Sequence, residues 1–255
     1  MTIDEVGRAR VQLPANPAYQ ALAGRVDAVV FLTCEHASEH FEPPWALSGL
    51  DARLAGTHWA YDAGAEQLTR ELAAALDAPA VLAKFSRLII DPNRELTAPT
   101  LFRATADHLP VHLNLEVTAA DRAARIARFW QPYHRAIDQG LTQCSAPLVF
   151  PVHTFTQSYQ GNHRPMQLGV LFSQEEALAA VLTKQLRSAG FEVAMNEPWS
   201  GKDGLMYCGE RHANAHNRKA LELEARQDCA TDPSFRARLV PVLTKFLREH
   251  AQSGG

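Results

Sequence analysis

Residues 28–33, Ala-Val-Val-Phe-Leu-Thr, form an unbroken apolar run. A strand apolar on both faces cannot turn either of them to water, so it must lie inside a sheet covered on both sides, as parallel sheets are. Beyond it the period changes. Ala65, Leu68, Leu72 and Leu76 recur at helical spacing and predict a helix over 62–77. Residues 79–82 and 87–90 read as strands, and 97–117, with two prolines and no clean period, as a long functional loop. Thr118 and Asp121 form a capping pair for a helix over 121–140. Strands follow at 146–152 and 166–172. Ser173 and Glu176 cap a helix that Gly190 ends, 191–195 and 220–224 are the last strand candidates, and Pro233 opens a C-terminal helix.

Strands alternating with helices predict a three-layer α/β/α fold around a mostly parallel mixed sheet. The 255 residues contain no glycine-rich linker and no repeat, so one domain is expected over 1–255, with 1–25 as an N-terminal extension and 252–255 as a frayed tail. A formal charge of −3 lacks the basic surplus of a nucleic-acid partner. Nothing approaches 18 uninterrupted apolar residues, so no membrane span is expected. Cys34, Cys144, Cys208 and Cys229 show no C-x-x-C pairing and residues 1–14 no apolar leader, so reduced thiols and a cytoplasmic location are expected.

Two histidines stand at the ends of apolar runs, His36 after residues 29–33 and His153 after 148–150. Open α/β sheets place ligands at the carboxyl ends of their strands. With Glu39 three residues after His36, the parts of a two-histidine, one-carboxylate zinc site are present. The bland reading is a loop histidine beside a solvated glutamate and a satisfied histidine at a sheet edge. Between them lies Asp91-Pro92-Asn93-Arg94. The proline stops a strand and stiffens a turn, from which an amide and a guanidinium fork can grip a carboxylate bidentately. Asp91 could hold Arg94 or orient a metal-bound histidine; a surface turn with a salt bridge is the alternative. In residues 221–228, Glu222, Glu224 and Arg226 share one strand face. Either this is an exposed edge strand, or Glu224 is a general base and Arg226 a second anion clamp.

Read in order, Cys34-Glu-His-Ala-Ser38, His58-x-x-x-Asp62-x-Gly64-Ala65, Ser86-Arg87-Leu-x-x-Asp-x-Asn-Arg94, His153-Thr-Phe-Thr156, Arg164-Pro-x-x-x-Gly-Val-Leu171, Asn196-Glu-Pro-Trp-Ser200 and Glu224-x-Arg-x-Asp228 resemble the N-formylglutamate amidohydrolase family over roughly 28–230. The motif order is also similar to that of zinc carboxypeptidases and aspartoacylases. The resemblance implies a phosphorylase/hydrolase-like α/β/α fold and one Zn²⁺ on His36, His153 and a carboxylate. That carboxylate is Glu39, or else Asp62, which follows His58. It further implies Glu224 as base, and Asn93 and Arg94 on the substrate carboxylate, with Arg87, Arg164 and Arg226 as further substrate-binding groups. The expected activity is hydrolysis of a small acidic N-formyl or N-acyl amino acid, N-formylglutamate foremost. Alternatives are a metallo-peptidase or amidase on a larger acyl amino acid or peptide, and a non-catalytic anion-binding relative.

Overall fold

The computed structural model describes residues 2–3 and 7–250. Its principal sheet is built from β1 (Tyr19–Leu22), β2 (Phe31–Cys34), β3 (Ala80–Ala83), β4 (Leu148–Phe155), β5 (Leu168–Leu171), β6 (Val193–Met195) and β7 (Glu222–Arg226). Their order across the sheet is β6-β5-β7-β4-β2-β3-β1, with Lys219–Ala220 pairing beside the start of β4. The central ladders β7·β4, β4·β2 and β2·β3 are parallel, as is β5·β6, whereas β1·β3 and β5·β7 are antiparallel. This is the mostly parallel mixed sheet that the apolar runs predict.

Period-two alternation sends the central strands' side chains into two cores. Leu32, Leu82, Phe150, Val170 and Leu223 pack with helices α1 (Ala65–Leu76), α4 (Glu176–Ser188) and α7 (Pro233–His250). Phe31, Val81 and Val149 face the other way, toward α3 (Gln131–Gln143) and α5 (Tyr207–Ala215). The short helix α2 (Ala119–Arg125) is capped by Thr118 Oγ1, which accepts from the Asp121 amide. It continues through a π-turn, Ile126–Trp130, into α3. Pro132 has no N–H to give the preceding turn, and the backbone widens immediately before it. A further short helix, α6 (Gln227–Thr231), links β7 to α7.

Residues 87–90 do not form the expected strand. Leu88, Ile89 and Ile90 are buried, but in a turn in which the Leu88 amide donates to Ser86 Oγ and the Ile89 amide to the Ser86 carbonyl. Burial alone produced the strand-like apolar run. Within the proposed N-terminal extension, Tyr19–Leu22 is an edge strand of the sheet. The segment 97–117 contains a small hairpin, Thr105–Ala106 with Leu109–Pro110, and a short 3₁₀ turn at His112–Asn114. Helix α5 has no counterpart in the sequence reading, and the expected frayed tail, 252–255, lies outside the described residues. No helix among the described residues is long and apolar enough to cross a membrane.

Position 169 shows how tightly the sheet is built. Gly169 pairs with Glu224 across β5·β7, and a Cβ there would lie 2.1 Å from the Glu197 carbonyl oxygen and 3.2 Å from Glu224 Cβ. Gly169→Ala is expected to lower stability by about 1–3 kcal/mol, the usual cost of overpacking. Urea unfolding would show a lower midpoint with an unchanged slope; an unaltered midpoint would mean the neighbouring loop simply gives way.

Candidate active site

Because paired residues on neighbouring strands point to one face, the register fixes much of the site. His153 on β4 is opposite Glu224 on β7, and Glu224 is opposite Gly169. His36 lies two residues past the end of β2. Asp62 reaches the same place from the loop before α1, its amide donating to the His36 carbonyl at 2.9 Å.

Three buried donors meet there. Asp62 Oδ2 is 3.3 Å from His36 Nδ1 and 3.0 Å from His153 Nδ1, and it also accepts from the Thr154 amide at 3.2 Å. One ligand atom from each of His36, Asp62 and His153 lies within 4.8 Å of the others. The far nitrogens are held by further carboxylates. His36 Nε2 is 2.8 Å from Asp91 Oδ1. His153 Nε2 is 2.8 Å from Glu35 Oε2, although the approach is not aligned for a hydrogen bond. A carboxylate on the distal nitrogen fixes ring orientation and leaves the other nitrogen facing inward, which is how metal-binding histidines are commonly supported. Two imidazoles and one carboxylate, all buried, suit a divalent transition ion such as zinc.

The electrostatics follow from burying this much charge. Burial pushes the Asp62 carboxyl up, but His36 and His153 outweigh it and hold the pKa below the ordinary range. Asp91 is likewise kept low against burial by Arg87, whose Nη2 is 2.7 Å from Asp91 Oδ2, and by His36. Arg87 Nη1 also lies 3.6 Å from Asp62 Oδ1. Glu35 is held down at about 2 against its burial by His153. His153 is raised well above its usual value, because Glu222, Asp62 and Glu35 overcome the effect of burial. Glu222 and Glu224 behave oppositely. Burial lifts Glu222 to about 8 and Glu224 well above 4.5, with His153 only partly offsetting it. Glu224 Oε2 has no hydrogen-bond partner among the described residues.

These groups form the floor of a cleft of about 740 Å³, measured with its open mouth. His36, Asp62, Arg87, Asn93, Arg94, His153 and Glu224 all line it. Asn93 is fixed by donating Nδ2 to the Leu205 carbonyl and accepting from the Cys208 amide. Arg94 is tethered to Thr100 Oγ1 and the Asn93 carbonyl, and it makes no salt bridge among the described residues. Asp91 is paired with His36 and Arg87 rather than with Arg94. Arg164 is not itself among the lining residues; it stacks 4.8 Å and 4.9 Å over Tyr159 and Trp199, which are.

Two of the nominated residues are not brought to the site. Glu39 is exposed and accepts from the Gly56 amide at 2.6 Å, because the chain after His36 turns outward instead of folding into a helix; Asp62 stands in the donor cluster instead. Arg226 is paired with Asp228 and donates to the carbonyls of Arg164, Pro165 and Met166, which leaves it outside the cleft. Sequence reasoning passed over Glu35, Trp59, Arg103, Tyr159 and Trp199. A carboxylate directly after a strand buried on both faces, as Glu35 is, requires a partner, and that signal was available. Arg103 carries no local pattern; it lies over the Trp59 ring at 5.0 Å and lines the cleft from the loop side.

A family model described as N-formylglutamate amidohydrolase matches residues 28–231. Among solved structures, the chain is similar to a gene product of Agrobacterium tumefaciens, at 25% identity over 91% of this chain and 94% of that one, with a TM-score of 0.84. It is also similar in fold to an N-formylglutamate amidohydrolase from Ralstonia eutropha JMP134, at 20% identity over 92% and 97% of the two chains and a TM-score of 0.69. Sequence comparison finds no match among curated proteins.

Asp91 provides a test of these electrostatics. Its carboxyl is depressed in the folded state, so the stabilisation is complete above its unfolded pKa, near 3.9, and is lost as pH falls through the folded value. In chelator-treated protein, Asp91→Asn is expected to cost about 3–5 kcal/mol at neutral pH, as when one partner of a buried ion pair is removed. That difference should shrink below roughly pH 4. Urea unfolding of both proteins across pH measures it; a difference independent of pH would show that the charge is not what matters.

Proposed function

The chain belongs to the N-formylglutamate amidohydrolase family, and from that premise we propose a zinc-dependent amidohydrolase that cleaves the amide of a small N-formyl or N-acyl amino acid, N-formylglutamate first. The observation that carries this reading is the convergence of His36 Nδ1, His153 Nδ1 and Asp62 Oδ2 at the floor of a cleft that also holds Arg94, Arg103 and Glu224. His36, His153 and Asp62 would hold one ion. When bound, it supplies a Lewis acid for the scissile carbonyl and acidifies the attacking water.

The remaining work falls to the chain itself. Glu224 Oε2, buried and without a hydrogen-bond partner among the described residues, takes a proton from the attacking water and returns it to the leaving amine nitrogen as the C–N bond breaks. The products are a carboxylate and a free amino acid. Because burial raises the Glu224 carboxyl, it holds the proton readily between the two transfers. Arg94, with Asn93 fixing the turn beneath it, binds the α-carboxylate of the substrate. Arg87 is engaged by Asp91 and Asp62, so it keeps the floor in order rather than offering a free fork. A second carboxylate, as on a glutamyl group, finds Arg103 in the cleft lining, with Arg164 stacked on the lining aromatics Tyr159 and Trp199. The four cysteines are unpaired and buried, which suits the reducing environment of the cytoplasm.

Metal analysis of the purified protein, followed by a screen of N-formyl and N-acetyl amino acids for amine release, tests the reading. Release from peptides but from no acyl amino acid would replace it with the peptidase alternative. Glu224→Gln keeps shape and removes the proton acceptor, so kcat is expected to fall by about a hundredfold or more at unchanged metal content. Near-normal turnover would move the base to Glu222.

Arg94→Lys cannot reproduce a planar bidentate contact. It should cost roughly 1.5–3 kcal/mol, or about tenfold to a hundredfold in kcat/KM, on substrates with a free α-carboxylate. The matching amides should be little affected. Equal losses on both would make Arg94 a structural residue.

A further inference from the structure

On the α3–α5 side of the sheet, behind the cleft floor, a second set of buried donors converges. His134 comes from α3, and Cys208 and His212 from α5, with one ligand atom of each within 4.8 Å of the others. Hydrogen bonding fixes both ring tautomers. His134 Nε2 is 3.1 Å from the Pro92 carbonyl, which can only accept, so Nε2 carries the proton and Nδ1 is bare. His212 Nδ1 is 2.7 Å from Asp138 Oδ1, a carboxylate oxygen that His216 Nε2 also approaches at 3.1 Å. His212 Nδ1 thus carries the proton and Nε2 is bare. The two bare nitrogens face each other at 2.7 Å.

With each ring's proton committed to its distal partner, neither tautomer places one in this contact. Two lone pairs at hydrogen-bond distance with no proton between them repel, unless a cation lies against both. Arg211 Nη1 now plays that part, at 3.4 Å from His134 Nδ1 and 3.1 Å from His212 Nε2. Arg211 is partly exposed, however, with Asp138 Oδ2 at 4.0 Å and the Trp130 ring at 5.4 Å to receive it if it swings away. The backbone carbonyl and the carboxylate on the distal nitrogens are the outer supports that metal-bound histidines use.

We propose that His134 Nδ1, His212 Nε2 and Cys208 Sγ form a second metal site, for a thiophilic divalent ion of the zinc class, that braces the turn 91–94 from behind. Two imidazoles and a thiolate select zinc-like ions over magnesium or calcium. At the usual bond lengths, ligand atoms around one zinc stand about 3.3–3.6 Å apart. The two nitrogens would separate slightly, the sulfur would draw in, and Arg211 would yield the remaining position to solvent. The bracing follows from the connections already in place. Pro92 accepts from His134, and the Cys208 amide donates to Asn93 Oδ1 at 2.9 Å, so an ion here ties α3 and α5 to the turn that carries Asn93 and Arg94. None of the three donors lines the cleft; Cys208 is hydrogen-bonded to Glu35, the carboxylate behind His153, so the two clusters adjoin through that one residue.

Cobalt(II) titration of the metal-stripped full chain tests it, read by metal per chain and by absorption. Two equivalents are expected, with a near-ultraviolet thiolate-to-cobalt band that the donors of the cleft cannot give. The band should be lost with one equivalent in Cys208→Ser and His212→Asn, and should persist in His36→Ala and Cys34→Ser. Binding of the second equivalent should raise the wild-type melting temperature and should have no such effect in Cys208→Ser. A wild-type protein that takes up cobalt without the band overturns the proposal, as does a band that survives in Cys208→Ser. The wild-type spectrum decides this even if a variant fails to fold. A single equivalent that does carry the band would uphold this site and count against the cleft as a metal site.

Discussion

The carboxylate of Asp62 is buried at the cleft floor, and one of its oxygens is shared by His36, His153 and the Thr154 amide. An ionised group taken out of water is tolerated only when partners replace its hydration. Meeting that requirement draws together the end of β2, the middle of β4 and the loop before α1, which are remote in sequence. The same demand spreads outward. Each histidine has a further carboxylate at its far nitrogen, Asp91 or Glu35, and Asp91 is in turn compensated by Arg87. The site is therefore a layered set of charges in which each position is fixed by the next.

Those charges do not balance evenly. Glu35, Asp62, Asp91, Glu222 and Glu224 crowd a region in which Arg87 is the cation most closely engaged. Glu35, Asp62 and Asp91 are held low by the histidines and Arg87, and His153 is driven up by Glu222, Asp62 and Glu35; Glu222 and Glu224, with no such partner, are pushed to the protonated side first by burial and then by their acidic neighbours. A bound divalent cation is the simplest compensation for such a floor. It would also favour the ionised form of Glu224, the form a base needs.

The groups on the floor and those on the walls are carried differently. His153 and Glu224 are on adjacent central strands, and His36 and Asp91 follow directly on strand or turn, where packing allows little movement. Arg94, Arg103, Tyr159 and Trp199 come from connections, and two small hairpins, 105–110 and 158–163, carry or flank them. Chemistry placed on a rigid sheet and recognition placed on loops allow substrate preference to change without disturbing the reacting groups.

The sequence by itself determined the layered α/β architecture, since unbroken apolar runs such as 28–33 and 148–150 demand burial on both faces. It also marked His36, His153, Asn93 and Arg94 as polar groups that follow buried apolar runs, although only His36 stands where a strand stops: His153 lies within β4, and Asn93 and Arg94 follow a buried turn. It could not choose between Glu39 and Asp62. Spacing along the chain favours a neighbour at i+3, but the chain after His36 turns outward, where Glu39 accepts from the Gly56 amide, a contact no local pattern announces. Alternation in 221–226 is equally compatible with an exposed edge and with a core strand; the pairing of β7 between β5 and β4 decides it, and buries Glu222 and Glu224. Arg103 in the cleft and the meeting of His134 with His212 across two helices have no local signature at all. Patterns report which residues must leave water, because that is a property of each side chain. Which of them meet is set by how the layers pack, and only the tertiary structure decided that.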